Sequence, residues 1–300
     1  MPDDLIDFTP ELRAQALKNL ERYRVAPWMY NPAVLGDVNG ILGAINMGNA
    51  VGGTNWPGVA YDPETHTIIA NANNVGITAT SLVTPPPRFS DIRYVSGVAG
   101  RPFQEVLGPG DCCAADSPRA QAQAAAPPAP AAAPAQGGGR GGGGGGGLTV
   151  DGLTILKPPY GTIAAINLDR GEIVWQVPHG DTPDAVRNAP SLQGVTIPKT
   201  GQNGSVGLVV TKTLVVLGDP QVTAPPGRPR GAMLRAYDKT NGTEVGAVWM
   251  PAAQSGSPMT YMADGKQYIV VAVSGGNYSG EYISFSLPAT VQRPSTQGQR

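Results

Sequence analysis

The 300-residue chain is poor in the residues that build many kinds of site. It has two histidines, His66 and His179, so a metal site made of several histidines is excluded. Its only cysteines, Cys112 and Cys113, are adjacent. They leave no CxxCH sequence for a covalently attached haem and no CxxC pair for zinc.

Charge and long apolar runs are also scarce. There are 21 Lys and Arg against 22 Asp and Glu, so nothing indicates a nucleic-acid partner. No apolar run reaches the roughly 18 residues that a membrane-spanning helix needs. The first 15 residues are acidic and lack the apolar core of a signal peptide. We therefore expect a cytoplasmic protein, or a chain that does not begin where a secretion signal would lie.

Turn-forming residues, by contrast, are abundant. The chain has 41 glycines and 30 prolines, while 41% of its residues are hydrophobic. This composition favours many short strands joined by tight turns over a helical fold. Residues 118–147 are almost entirely Ala, Pro and Gly, and we expect a disordered insertion there, because such a tract cannot bury apolar surface.

One helix is predicted, over residues 9–24. Thr9 can cap it, Pro10 suits its first position, and apolar residues recur at helical spacing at Leu12, Ala16, Leu20 and Tyr23. The rest of the pattern predicts strands. Five hairpins, over residues 59–72, 161–177, 207–218, 232–249 and 259–275, are followed by a single strand over 281–288.

The hairpins contain an internal repeat. Residues 165–171 and 236–242 both read A-x-N/D-x-x-x-G. Grouped in fours, the predicted strands form two complete units and a third unit of three strands, which is typical of a β-propeller. We predict an all-β fold, a partial β-propeller of about three four-stranded blades with one short N-terminal helix, forming one domain over residues 1–300. An unrelated β-sandwich is the alternative.

Four segments resemble one family, in the right order. They are DLIDFTPELRAQALKNLERYR (4–24), GGTNWPGVAYDPETHTIIANANN (52–74), GTIAAINLDRGEIVW (161–175) and the run from LRAYD to VAVSGG (234–276). They are similar to the pyrroloquinoline-quinone (PQQ) dehydrogenases, and in particular to the membrane-bound glucose dehydrogenase branch. That family has an eight-bladed propeller, so the resemblance implies that this chain is the C-terminal part of a longer ring, with an upstream propeller half as a possible partner.

The resemblance also implies a function. Members of the family oxidise a sugar or alcohol with PQQ, use calcium or another divalent ion, and pass electrons to a quinone or cytochrome acceptor. A periplasmic location, or the periplasmic face of the membrane, goes with that activity. A non-catalytic propeller scaffold and a truncated, inactive gene product are the alternatives.

Two candidate cofactor-binding residues follow from the GGTNW motif. By resemblance, Asn55 hydrogen-bonds the quinone oxygens of PQQ and Trp56 lies in the same pocket wall. An amide can donate to such an oxygen without titrating, and an indole gives flat apolar area beside a planar cofactor. The alternative is that Asn55 caps a turn and Trp56 belongs to a blade core.

Other family features do not carry over. The catalytic aspartate and the calcium ligands lie upstream of the GGTNW blade in the family, so no catalytic base and no metal ligand is assigned here. The available carboxylates are expected to be solvated or to cap turns, and His179 is expected to be exposed. These carboxylates are Asp37, Asp62, Asp111 and Asp219. Trp175 and Trp249 are interpreted as structural, with Gly246 replacing the docking tryptophan in the second copy.

The adjacent pair Cys112–Cys113 leaves several possibilities open. It could form a vicinal disulfide, with or without a cofactor contact, or remain as two free thiols. Some alcohol-oxidising members of the family place such a disulfide against PQQ, although from a different blade. An oxidised pair would favour a periplasmic setting.

Overall fold

The computed structural model describes residues 2–26, 31–48, 53–87, 90–100, 148–275 and 277–287. Cys112, Cys113 and the tract 118–147 lie outside these residues, so the expectations for them stay predictions. The chain divides into two compact units. Unit 1 comprises Met1–Ala50 with Gly76–Lys157, and unit 2 comprises Val51–Val75 with Pro158–Arg300.

The predicted helix is present in unit 1 as α1 (Pro10–Leu20). Thr9 caps it as expected, since its hydroxyl accepts a hydrogen bond from the Leu12 amide at 3.2 Å. Leu12, Ala16 and Leu20 form its buried face. The helix ends earlier than predicted because Tyr23 instead pairs with Gly43 in a parallel strand contact.

Unit 1 also contains strands that the sequence pattern did not predict. The strands are β1 (Tyr23–Arg24), β2 (Val34–Leu35), β3 (Gly43–Met47), β6 (Ile77–Val83), β7 (Val95–Ser96), β8 (Thr149–Val150) and β9 (Leu153–Thr154). Five of them form a sheet with the order β1-β3-β6-β2, in which β7 also pairs with β6, and β8 and β9 form a separate short hairpin.

The described residues of unit 2 form three antiparallel sheets, which confirms the predicted grouping of four, four and three strands. Sheet A contains β4 (Val59–Asp62), β5 (Thr67–Asn73), β10 (Gly161–Asn167) and β11 (Glu172–Pro178). Sheet B contains β12 (Val209–Val210), β13 (Leu214–Gly218), β14 (Ala232–Asp238) and β15 (Glu244–Met250). Sheet C contains β16 (Met259–Ala263), β17 (Lys266–Gly275) and β18 (Tyr278–Ser286). Between sheets A and B lies the four-residue helix α2 (Asp184–Arg187).

Sheet B is packed on both faces. Along β13, Val215 and Leu217 join a core with sheet A, while Val216 joins a core with sheet C. This alternation follows from the two-residue period of a strand. The core between A and B contains Ile69, Ile163, Ala165, Trp175, Val206, Leu208, Val215, Leu217 and Tyr237. The core between B and C contains Val216, Ala232, Leu234, Met250, Ala252, Val271 and Val273. Successive sheets stacked face to face are the packing of propeller blades.

The two tryptophans of the repeat differ in burial. Trp175 is 9% exposed, and its indole N–H donates to the carbonyl of Lys239 at 3.0 Å, so it ties sheet A to sheet B as predicted. In sheet B the equivalent position is Gly246, and Trp249 is 44% exposed. The indole of Trp249 lies over the backbone of Gly231, just before β14.

Candidate functional site

The predicted cofactor residues lie at one end of unit 2. Connections of an antiparallel sheet alternate between its two ends, so the segment before the first strand shares an end with the connection between the second and third strands. We call this the loop end. Hydrogen bonds from the Val206 amide to the Asn71 side chain and from the Gly218 amide to the Gln254 side chain join the loop ends of adjacent sheets. Asn55 and Trp56 precede β4 and lie at this end.

Trp56 is a large apolar side chain outside any core. It is 84% exposed and belongs neither to the core between sheets A and B nor to the core between sheets B and C. Asn55 is also exposed, and its carbonyl closes a turn by accepting from the Gly58 amide at 2.7 Å. The turn is held on sheet A because the Asn73 amide donates to the Gly53 carbonyl at 2.8 Å. The structure therefore presents both side chains to solvent on an anchored loop.

The repeat shows that this pair has no counterpart in sheet B. Ala60 lies opposite Ile69, and Val209 lies opposite Val216 at the equivalent register of sheet B. Counting back from those positions, Asn55 and Trp56 correspond to Gly204 and Ser205. The repeating scaffold therefore does not require an indole at this position.

A buried ion-pair network extends from the loop end along sheet B. Arg235 on β14 contacts both carboxylate oxygens of Asp219, at 2.6 and 3.0 Å, and also pairs with Asp181 at 3.0 Å and Glu244 at 2.9 Å. Asp219 is fully buried, so the expectation of a solvated or capping residue was wrong. Burial raises the pKa of Asp219, and the hydrogen bonds and charge of Arg235 oppose that rise. A carboxylate held by two guanidinium contacts is not available as a general base.

His179 lies beside this network and is also fully buried, which corrects the expectation that it is exposed. Its Nε2 is 3.0 Å from the Gly218 carbonyl, which can only accept, so Nε2 carries the proton. Its Nδ1 then accepts from the Tyr237 hydroxyl at 2.9 Å. Burial lowers the pKa of His179 to about 3, so the ring is neutral at physiological pH. The pair links sheet A to sheet B and is part of the fold.

The other predicted carboxylates have capping or ion-pair roles. Asp37 in unit 1 accepts from the Asn39 amide, as expected for a turn. Asp62 caps the turn after β4 through the Glu64 amide and also pairs with Lys239 at 2.9 Å, at the end of the sheets opposite to the loop end. Asp111 lies outside the described residues. In the described part of the chain, no three or more His, Cys, Asp or Glu side chains are grouped to hold a metal.

The sequence pattern did not predict the buried polar residues at and beside the loop end. One signal was present, because Arg235 lies between Leu234 and Ala236 inside a strand. A charged residue within an apolar strand indicates a buried ion pair. For His179 the sequence holds no comparable signal, since its burial depends on the packing of sheet B.

Comparison with known proteins gives the family. The model of the glucose/ethanol/alcohol dehydrogenase PQQ β-propeller domain matches residues 1–269, so the chain belongs to this family. Quinoprotein glucose dehydrogenase A of Acinetobacter calcoaceticus is 27% identical over 239 residues, covering 78% of this chain and 28% of that protein. The quinate/shikimate dehydrogenase (quinone) of Acinetobacter baylyi is 25% identical, covering 80% of this chain and 26% of that protein. The chain thus spans little more than a quarter of these relatives.

A structural likeness accompanies the family match. The quinohemoprotein alcohol dehydrogenase from Comamonas testosteroni aligns with a TM-score of 0.42 and 16% identity, over 92% of this chain and 33% of that one. No helix among the described residues is both long and apolar enough to cross a membrane.

Proposed function

We propose that this chain contributes part of the PQQ-binding propeller of a dehydrogenase that oxidises a sugar or alcohol and delivers electrons to a quinone or cytochrome acceptor. Membership of the family supports this proposal. The observation that carries it is the exposed Asn55–Trp56 pair on its anchored loop, where the equivalent positions of sheet B are Gly204 and Ser205. A periplasmic location is part of the same proposal.

The two side chains fit a planar quinone. Trp56 offers an uncovered indole face, against which a flat ring system can stack and exclude water. The Asn55 amide can donate a hydrogen bond to a quinone oxygen, and it stays neutral at every working pH. Bound PQQ would supply the two-electron acceptor for alcohol oxidation. Asn55 would orient it, and its donated bond would strengthen as negative charge develops on the oxygen.

The catalytic base and the calcium ligands of the family are not assigned to described residues of this chain. The buried carboxylate of Asp219 is held by Arg235, and Asp62 is paired with Lys239. Neither residue has the open acceptor that proton abstraction requires. We therefore confine the proposal for this chain to holding and orienting the cofactor.

The proposal is tested by titrating the chain with PQQ, with and without calcium, while tryptophan fluorescence is followed. We expect weak, saturable binding, because a cofactor held by a fraction of its contacts loses much of its affinity. Asn55→Ala and Trp56→Ala should each weaken the binding. Trp249→Ala and Asn241→Ala serve as controls, since they alter an exposed tryptophan on the outer strand and an exposed asparagine in a turn away from the loop end.

Two outcomes would contradict the proposal. One is a wild-type chain that shows no saturable change up to millimolar PQQ. The other is equal affinity for wild type, Asn55→Ala and Trp56→Ala, which would mean that PQQ binds elsewhere on the chain.

A further inference from the structure

The loop of sheet B that corresponds to the Asn55–Trp56 loop is held on one side by Asn71. This side chain is 3% exposed. Its Oδ1 accepts from the Val206 amide at 3.1 Å, and its Nδ2 donates to the Thr162 carbonyl at 3.2 Å. Asn71 thus joins two strands of sheet A to the segment Gly204–Gly207, which we call the middle loop.

The other side of the middle loop is held by Gln254, in the segment before sheet C. Gln254 is 7% exposed. Its Nε2 donates to the Gly207 carbonyl at 2.7 Å, and its Oε1 accepts from the Gly218 amide at 2.5 Å. Two adjacent residues of the middle loop, Val206 and Gly207, are therefore bonded by buried amide side chains from opposite directions.

A buried amide side chain forms a bridge at both junctions, between sheets A and B and between sheets B and C. Asn71 lies opposite Ile163, and Gly218 lies opposite Leu234 at the equivalent register of sheet B. A Cβ at Gly218 would lie 2.9 Å from the Oε1 of Gln254. At this position sheet A has the amide side chain of Asn71. Sheet B has Gly218 there, and the amide side chain comes instead from Gln254, in the segment before sheet C. Asn71 therefore bridges the junction between sheets A and B, and Gln254 bridges the junction between sheets B and C.

We propose that Asn71 and Gln254 are positioning residues that fix the middle loop beside the Asn55–Trp56 loop and so set the geometry of the PQQ site. This inference rests on the proposed function. Strand β5 holds both loops, since the Asn73 amide anchors Gly53 and the Asn71 side chain anchors Val206. Val206 is buried, so its amide would have no partner without Asn71, and the loop would have to move to solvate it. An amide side chain suits this role because it donates and accepts in fixed directions.

The test compares Asn71→Leu with Asn31→Leu. Leucine keeps the branching of asparagine at Cγ, although it is larger, and it removes both hydrogen bonds; the same change at Asn31 controls for the added volume. Asn31 is a matched control, because it is 8% exposed and its amide donates to two backbone carbonyls in unit 1. Hydrogen exchange is measured for peptides covering 53–58 and 203–208, and PQQ affinity is measured by fluorescence titration. We expect Asn71→Leu to speed exchange at 203–208 and to raise the Kd for PQQ, each by about tenfold, the effect of one lost hydrogen bond.

The outcomes separate the two proposals. Unchanged exchange at 203–208 in Asn71→Leu would overturn the role of Asn71 in holding the middle loop. Faster exchange with an unchanged Kd, or an equal loss of affinity in Asn31→Leu, would overturn its role in positioning the PQQ site. A wild-type chain that does not bind PQQ would refute the proposed function and the positioning role, while exchange would still decide whether the loop is held. If Asn71→Leu does not fold, Gln254→Leu tests the same loop from the other side.

Discussion

The indole of Trp175 in sheet A lies directly on Gly242 in the β14–β15 turn of sheet B. A Cβ added to Gly242 would be 2.5 Å from the Cε3 of Trp175, and the residue has a φ of +74°. Gly171 occupies the equivalent turn of sheet A with a φ of +67°, yet nothing lies within 4 Å of its Cβ position. Both glycines therefore need a left-handed backbone conformation, but only Gly242 is in contact with a tryptophan.

This difference predicts unequal costs for the same substitution. Gly171→Ala should destabilise unit 2 by about 1–2 kcal/mol, the cost of a left-handed conformation for a residue with a Cβ. Gly242→Ala should cost about 1–3 kcal/mol more, because the indole must also shift. Urea unfolding of both variants measures the difference. Equal losses would show that the Trp175 contact is easily relaxed.

The Asp62–Lys239 ion pair predicts a pH dependence of stability. Burial alone would raise the pKa of Asp62, but hydrogen bonds from Thr65, Lys239 and the Glu64 amide lower it overall. A carboxyl with a lowered pKa in the folded state stabilises the fold above its unfolded pKa of about 4, and this stabilisation is lost as the pH falls through the folded value. Asp62→Asn should therefore cost about 1–3 kcal/mol at pH 7, and progressively less below about pH 4.

Denaturant unfolding of wild type and Asp62→Asn between pH 7 and pH 3 checks this. Asp169→Asn is the control, because Asp169 pairs with His66 at an exposed site and should cost less than about 1 kcal/mol. A difference between wild type and Asp62→Asn that does not shrink with falling pH would contradict the ion-pair explanation.

The Asp219–Arg235 pair predicts a non-additive double substitution. Arg235→Met leaves the buried carboxylate of Asp219 without its main partner and should destabilise the fold by about 3–5 kcal/mol. Adding Asp219→Leu removes that stranded charge, so the double variant should be more stable than Arg235→Met alone. Thermal or urea unfolding of the single and double variants measures the coupling free energy between the two substitutions. Additive losses would show that the charges are not coupled.

The tract 118–147 is predicted to be dispensable for folding, because it contains almost no residues that can join a core. Its deletion should leave the midpoint of thermal unfolding essentially unchanged. A loss of several degrees would show that the tract packs on the rest of the chain.

The sequence was most informative where structure depends on neighbours along the chain. Thr9, Pro10 and the spacing of Leu12, Ala16 and Leu20 were enough to locate α1. The repeat was equally local, since Asn167 and Asp238 each accept a hydrogen bond from the backbone amide two residues later in the turn. Alternating apolar residues and tight turns were then enough to predict all the strands described in unit 2.

Prediction failed where partners are distant in sequence. Strands β1 and β2 have two residues each and pair in parallel with strands elsewhere in unit 1, so no local periodicity marks them. His179 and Asp219 resemble turn residues until sheet B covers them. Asn55 and Trp56 were predicted from a family motif. Their exposure at the loop end depends on the arrangement of the strands, which the motif alone does not show.

The path of the chain through sheet A has a consequence for the order of assembly. Strands β5 and β10 are adjacent in the sheet, with Asn71 opposite Ile163, although residues 74–160 separate them along the chain. The β13–β14 pair of sheet B is joined by a much shorter connection, residues 219–231. Bringing together strands this far apart along the chain has an entropic cost that delays the contact, so the hairpins of sheets B and C should form before sheet A is complete.

That cost rises only logarithmically, by about 0.6 kcal/mol for each doubling of loop length. Evolution can therefore lengthen the β5–β10 connection with a low-complexity tract at a small thermodynamic penalty. The same connection makes the pairing of β5 with β10 the slow step in the assembly of unit 2.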